Sequence, residues 1–142
     1  MATRCLCTSV RQLSRRMTSI YETHLSPYGV SAPQFSLLQR LHQLGPIANL
    51  AFAEAMGMDR STLSRGLKPL IAEGWIETVD MPESALVDKR SFGLQLTAAG
   101  VDKYASCHGA WKKAQMQLHR TLGAELSTLL LDTTQDVYQR LA

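Results

Sequence analysis

Cysteine is scarce in this chain. Cys5, Cys7 and Cys107 are three residues in 142, and an odd count argues against a disulfide framework. No CxxC pair occurs and the four histidines lie far apart, so neither a structural zinc site nor any other metal is expected. A phosphate-binding glycine loop, a metal cluster and a nucleophile–base pair are all missing, so an enzyme is not expected and no cofactor is implied. No apolar run is long enough to span a bilayer, and no membrane partner is expected. The first 21 residues carry Arg4, Arg11, Arg15 and Arg16 with no continuous apolar core. A secretory leader is therefore not expected, and the cytoplasm is the expected location. The formal net charge is only +3. That permits a polyanion partner without requiring one, because placement of charge matters more than its sum.

What is present is a globular composition, with 45% apolar and 19% charged residues. The length suits one domain, or one compact domain with a helical extension. Residues 8–25 predict a helix, since Leu6, Val10, Leu13, Met17 and Ile20 form one stripe at spacings of four and three. Ser31 and Gln34 form the pattern of a capping box, with Pro33 in the first turn, where its missing amide costs little. The helix that follows presents Phe35, Leu38 and Leu41 and stops at Gly45-Pro46. A short helix is expected over residues 50–56, with Asn49 as a candidate cap and Gly57 as its end.

Asp59 then caps a fourth helix to about residue 73, burying Leu63, Leu67, Leu70 and Ile71. Beyond Gly74 the period changes. Residues 75–79 and 91–96 predict two antiparallel strands joined by a long polar loop. Thr97 caps another helix, whose stripe is Val101, Tyr104, His108, Trp111, Gln115, Leu118 and Leu122. A last helix carries Leu126, Leu130, Thr133, Val137 and Leu141.

The stretch MGMDRSTLSRGLKPLIAEGW, residues 56–75, is the informative one. A short helix, a tight turn and a capped second helix make a helix-turn-helix. With the apolar face inward, Arg60, Ser61, Ser64, Arg65 and Lys68 are available outside. Arginine and lysine pair with phosphate, arginine can meet guanine bidentately, and hydroxyls donate to phosphate or base edges. The free amides at the helix start favour a phosphate as well. The hairpin directly after makes the order that of a winged helix. Lys89 and Arg90 sit on the return side of that wing, and Asp88 is placed to hold Arg90 by a charge-assisted bond. Asp80, Glu83 and Asp88 make the wing acidic. Gly66 costs about 1 kcal/mol in a helix interior, and Pro69 removes an amide and is expected to bend the helix near Arg65.

The fold class is therefore mainly α with a small antiparallel β-hairpin. It comprises a winged helix-turn-helix domain over residues 33–97 and a helical dimerisation region over residues 1–32 and 98–142. The terminal helices carry more apolar surface than one short domain needs, and their spacing suits packing between two chains.

On these residues the chain resembles the MarR family of bacterial transcription regulators. The resemblance runs nearly the full length and is most specific in FAEAMGMDRSTLSRGLKPLIAEGWIE at residues 52–77, in DKR at 88–90 and in LTAAG at 96–100. It implies an obligate homodimer of winged-helix subunits, whose recognition helices enter successive major grooves of a palindromic double-stranded DNA operator. Ser61, Thr62, Ser64 and Arg65 match the groove-facing segment. Asp88 and Arg90 match the wing element whose arginine reaches the minor groove. Gly74 matches the helix stop, and Leu96, Thr97 and Gly100 match the start of the long dimer helix. The wing departs from the family pattern in having few basic residues before Asp88. Members of the family usually repress, releasing DNA on meeting a small ligand, often an aromatic acid, or on oxidation of a cysteine.

Two kinds of sensor residue follow. Cys5 and Cys7, at the start of the first helix and near Arg4 and Arg11, are candidates for reactive thiols. Cys107, in the long helix, is either a third or a small core residue. Arg15, Arg16, His24, Tyr28 and Phe35 are candidates to line a pocket for an aromatic or carboxylate effector, arginine for the carboxylate and the rings for the ring. Phe35 also reads as core and His24 as a helix-end residue. The competing function is a winged helix used as a protein-interaction module without specific DNA binding, motivated by the acidic wing and the modest charge.

Overall fold

The protein is described by a computed structural model over residues 4–142. Six α-helices and three short strands follow in order: α1 Leu6–Leu25, α2 Ala32–Leu44, β1 Ile47–Ala48, α3 Asn49–Met56, α4 Arg60–Ala72, β2 Ile76–Val79, β3 Gly93–Leu96, α5 Ala98–Leu122 and α6 Ala124–Arg140. Single 3-10 turns occupy Ser26–Tyr28 and Glu83–Ala85. The chain divides into two compact units. One is Tyr28–His108; the other comprises the residues up to Pro27 together with Gly109–Ala142.

Helix starts follow local chemistry. The Ser31 hydroxyl accepts from the Gln34 amide at 3.2 Å, and the Ser31 amide donates back to Gln34 Oε1 at 3.0 Å. Two amides left over at the start of α2 are thereby satisfied. Gly57 ends α3 at φ 64°, a left-handed conformation that glycine adopts without steric cost. Asp59 caps α4 by accepting from the Thr62 amide at 2.7 Å. Thr97 starts α5, accepting from the Gly100 amide at 3.0 Å while its hydroxyl donates to the Gly74 carbonyl at 2.5 Å.

The unit Tyr28–His108 closes around Phe35, Leu38, Leu41, Phe52, Leu63, Leu70, Ile76 and Leu94, each at most 2% exposed. At about 1.5–3 kcal/mol for each large side chain buried, such a core is the main term holding the helices in place. Helix α2 packs on α3, on α4 and on β3. Gly66 is explained by that packing. A Cβ there would stand 3.2 Å from Leu37 Cδ1, so the missing side chain lets α4 lie close to α2. Helix α4 continues through Pro69 to Ala72.

The sheet is larger than the expected hairpin. Strands β2 and β3 pair antiparallel from Ile76↔Leu96 to Val79↔Gly93, as the hairpin reading requires. A third strand, β1, adds to the other edge of β3 through Ile47↔Leu94 and Ala48↔Gly93, giving the order β1-β3-β2. Two residues are too short to show any period. Asn49 is corrected as well. It is the first residue of α3 and not its cap, which is Ala48. Its side chain is buried, and its carbonyl oxygen accepts from the Phe92 amide at 3.3 Å. Its own amide donates to the Phe92 carbonyl at 2.9 Å. Asn49 thus stitches α3 to the strand entry, a satisfied buried polar group.

Two burial expectations also change. Ile71 is 41% exposed, because Leu67 and Leu70 already fill the inward face of α4. In α5 the buried side chains are those of Cys107, Ala110, Ala114 and Leu118. Tyr104, His108 and Trp111 are only half-buried, and Val101 is exposed. In the second unit, His24 Nε2 and Gln117 Oε1 lie 2.8 Å apart and join α1 to α5.

Candidate nucleic-acid interface

Helix α4 carries two faces. Leu63, Leu67 and Leu70 are buried, while Ser61, Ser64, Arg65 and Lys68 are exposed and Arg60 and Thr62 are intermediate. The four-and-three spacing of the leucines leaves the intervening polar residues on the outside. At the helix start, Asp59 Oδ1 also accepts from the Ser61 hydroxyl at 3.0 Å. The Thr62 amide, then the Thr62 and Ser61 hydroxyls, hold the Asp59 carboxyl below the ordinary carboxylate range. Arg65 is oriented within the face, since its Nη2 donates to Thr62 Oγ1 at 3.4 Å.

The wing turn between β2 and β3 is organised by Asp88. Its Oδ1 accepts from the Arg90 amide at 2.8 Å and from the Ser91 hydroxyl at 3.3 Å. Ser91 Oγ in turn accepts from the amides of Val87 and Asp88, at 3.2 and 3.1 Å. Ser91 therefore closes the turn, and β3 begins only at Gly93. The Arg90 amide and, after it, the Arg60 guanidinium hold the Asp88 carboxyl below its ordinary value. Arg90 Nη2 lies 3.6 Å from Asp88 Oδ2, and Arg60 Nη1 lies 3.3 Å from the same oxygen. Lys89 and Arg90 are exposed in this turn.

The pair Arg60–Asp88 spans 28 residues, and no spacing rule connects positions so far apart. The one available sign was that an aspartate flanked by Lys89 and Arg90 has more cations in reach than it needs.

The effector candidates are divided between the two units. Arg15 and Arg16 border a shallow depression on α1 with Gln12 and Ser19, and His24 is in the same unit. Tyr28 and Phe35 belong to the other unit. Phe35 is 1% exposed and stacks on Tyr104 with ring centroids 5.8 Å apart, so it is a core residue.

The cysteines separate by environment. Cys107 is fully buried, while Cys5 and Cys7 are exposed. Cys5 occupies the N-cap of α1. The Thr8 hydroxyl, then the Thr8 amide and the Cys7 amide, favour its thiolate and lower its pKa from the usual thiol value. Among the described residues no group of three or more His, Cys, Asp or Glu is placed to hold a metal ion. No helix among them is long and apolar enough to cross a membrane.

A capped helix following a tight glycine turn, a three-stranded wing and long helices at either end define a winged helix-turn-helix protein. The family model that matches it, over residues 30–85, is that of the MarR family. The multiple antibiotic resistance protein MarR of Salmonella typhimurium is 26% identical over 118 residues, covering 83% of this chain and 77% of the relative. A variant of MarR from Escherichia coli, solved with operator DNA, superposes with a TM-score of 0.79 at 23% identity, covering 93% of this chain and 92% of that one. The Mycobacterium tuberculosis regulator MosR, also solved with DNA, gives a TM-score of 0.78 at 22% identity over 96% and 98% of the two chains. Over residues 30–85, its helix-turn-helix and the start of its wing, the chain is similar to the MarR family. Regulators of this family are not enzymes.

Proposed function

We propose that the protein is a homodimeric, sequence-specific repressor that grips a palindromic operator with two copies of α4 and releases it on a chemical signal. The observation that carries this reading is the exposed row Ser61, Ser64, Arg65 and Lys68 over the buried row Leu63, Leu67 and Leu70. Such a helix has its donors outward and its packing inward, as a major-groove reader needs. Relatives of the same fold solved with DNA support it. In this reading residues 33–97 bind DNA and residues 1–32 and 98–142 make the dimer. Arg65 is the main base reader, Ser61, Thr62, Ser64 and Lys68 fix register on phosphates, and Lys89 and Arg90 serve the wing.

The test is an equilibrium titration against the fragment upstream of the protein's own gene, repeated over a salt series. Specific binding with half-sites about one helical turn apart is expected, and affinity should fall steeply with salt. Arg65→Ala should lose about 1–3 kcal/mol per half-site while the oligomeric state stays the same. A folded Arg65→Ala protein that still selects the same site defeats the assignment.

For release, the cysteines have an observation behind them. Cys5 is exposed, stands at the N-cap position of α1 and is biased toward its thiolate. Peroxide, attacked at one oxygen by that thiolate, would leave a sulfenic acid on Cys5 and expel water after protonation. DNA affinity should fall on treatment with hydrogen peroxide and return with a thiol reductant. A Cys5→Ser, Cys7→Ser protein that responds in full would remove the pair. The signal would then be a small carboxylate or aromatic ligand, with Arg15 and Arg16 the first positions to vary.

A further inference from the structure

Two arginines share one oxygen of Asp88, and they are not equivalent. Arg60 Nη1 is 3.3 Å away with 29% of its side chain exposed, whereas Arg90 Nη2 is 3.6 Å away with 79% exposed. The other oxygen is committed to the turn itself, through the Arg90 amide and the Ser91 hydroxyl. One side of the carboxylate thus shapes the wing turn, and the other reaches the first residue of α4. We propose that Arg60 is a positioning residue that fastens the wing turn to the start of α4, leaving Arg90 as the arginine of this cluster that faces DNA.

The inference rests on the DNA-binding reading above and narrows the sequence expectation, since Arg60 leaves the outward donors offered to DNA. A guanidinium held against a carboxylate has its charge largely neutralised locally. A phosphate would compete with Asp88 for it and weaken the hold of the wing turn on α4. Arg90 keeps most of its five donors toward solvent. Fixing the wing before DNA arrives also lowers the entropy cost of binding.

The experiment uses the full chain with Arg60→Gln, Arg90→Gln and Asp88→Asn. Hydrogen exchange of the Val87, Asp88, Arg90 and Ser91 amides is measured without DNA, and affinity for DNA is measured over a salt series. Arg60→Gln should speed exchange at these amides and weaken binding by about two- to fivefold, with the slope of log affinity against log salt unchanged. Arg90→Gln should lower that slope by about 0.9 per subunit. Asp88→Asn should speed exchange at the same amides, and adding Arg60→Gln to it should change exchange no further.

A slope lowered by Arg60→Gln with wing exchange unchanged would make Arg60 a direct DNA contact and overturn the proposal. So would additive exchange effects of Arg60→Gln and Asp88→Asn. If the native protein binds no DNA at all, the functional reading fails by itself. The exchange measurements still decide whether Arg60 holds the wing.

Discussion

The two units of the chain use their apolar residues in opposite ways. Tyr28–His108 hides them: Phe35, Phe52, Leu38, Leu63, Ile76 and Leu94 are all closed from solvent. The other unit leaves them out. Leu6, Val10 and Leu13 on α1 are 84%, 63% and 43% exposed, and Leu126, Leu129 and Leu131 on α6 are 50%, 61% and 66% exposed. What that unit buries is mostly small, namely Ala110, Ala114 and Ser127 beside Leu25 and Leu118. Large apolar side chains left exposed in such numbers mark an interaction surface. The first unit closes a core of large side chains within one chain and leaves only scattered ones such as Ile71 and Val87 outside, whereas the second leaves most of its large apolar side chains exposed. The dimer proposed above would cover that surface, because symmetry would bring the same face from a second copy.

The largest effect should therefore come from charging that surface. Val10→Glu with Leu126→Glu removes two apolar side chains from each subunit, each worth about 1.5–3 kcal/mol when buried. The dimer dissociation constant should rise by about two orders of magnitude or more. Sedimentation across a concentration range reads this directly. Amide exchange within Tyr28–His108 should stay as it was. A dimer that survives both charges would place its interface elsewhere, and the comparison between the units would lose its meaning.

Next comes a change inside the closed unit. Gly100 lies under the Trp75 carbonyl, and a Cβ there would stand 1.9 Å from that oxygen. The same carbonyl accepts from the Thr97 amide at 3.0 Å, so moving it away would strain that bond. Gly100→Ala should cost about 3 kcal/mol, seen as a lower unfolding midpoint at unchanged oligomeric state in the cold. An alanine variant as stable as the native protein would mean that the strand and helix ends are looser than the contact implies.

Gly100 also shows where sequence reading stops. The caps at Ser31, Asp59 and Thr97 were legible because both partners lie within three residues, and such bonds repeat from helix to helix. The pairing of β2 with β3 was legible from alternation and a turn between. The links Asn49–Phe92, Arg60–Asp88 and Trp75–Gly100 join residues from different elements. Nothing in the spacing of residues ties such partners to each other. In α5 a different rule misled. Periodicity weights large side chains, so Tyr104, His108 and Trp111 drew the stripe. The structure buries Cys107, Ala110 and Ala114 beside it, and small residues carry too little hydrophobic signal to be picked out. The outward face of α4 was legible for the converse reason. Once Leu63, Leu67 and Leu70 are known to be inside, geometry leaves Ser61, Ser64, Arg65 and Lys68 nowhere else to go.

The smallest effect separates the two units by pH. Asp59 and Asp88, both in the closed unit, have carboxyls held below their ordinary values, chiefly by the amides of Thr62 and Arg90. A carboxyl with a lower pKa in the folded state binds protons more readily once unfolded. Its stabilising contribution is complete above the unfolded value, and it is lost as pH falls through the lowered folded value. Acidification below the ordinary carboxylate range should thus lower the unfolding midpoint of Tyr28–His108. The Asp59→Asn, Asp88→Asn double variant should start slightly less stable at neutral pH and show a shallower fall. Exchange at the Thr62 and Arg90 amides, followed from pH 6 downward within about two units of the ordinary carboxylate pKa, reads the two sites separately. An unchanged acid dependence in the double variant would assign the loss to other carboxylates, and Asp59 and Asp88 would be sites of shape alone.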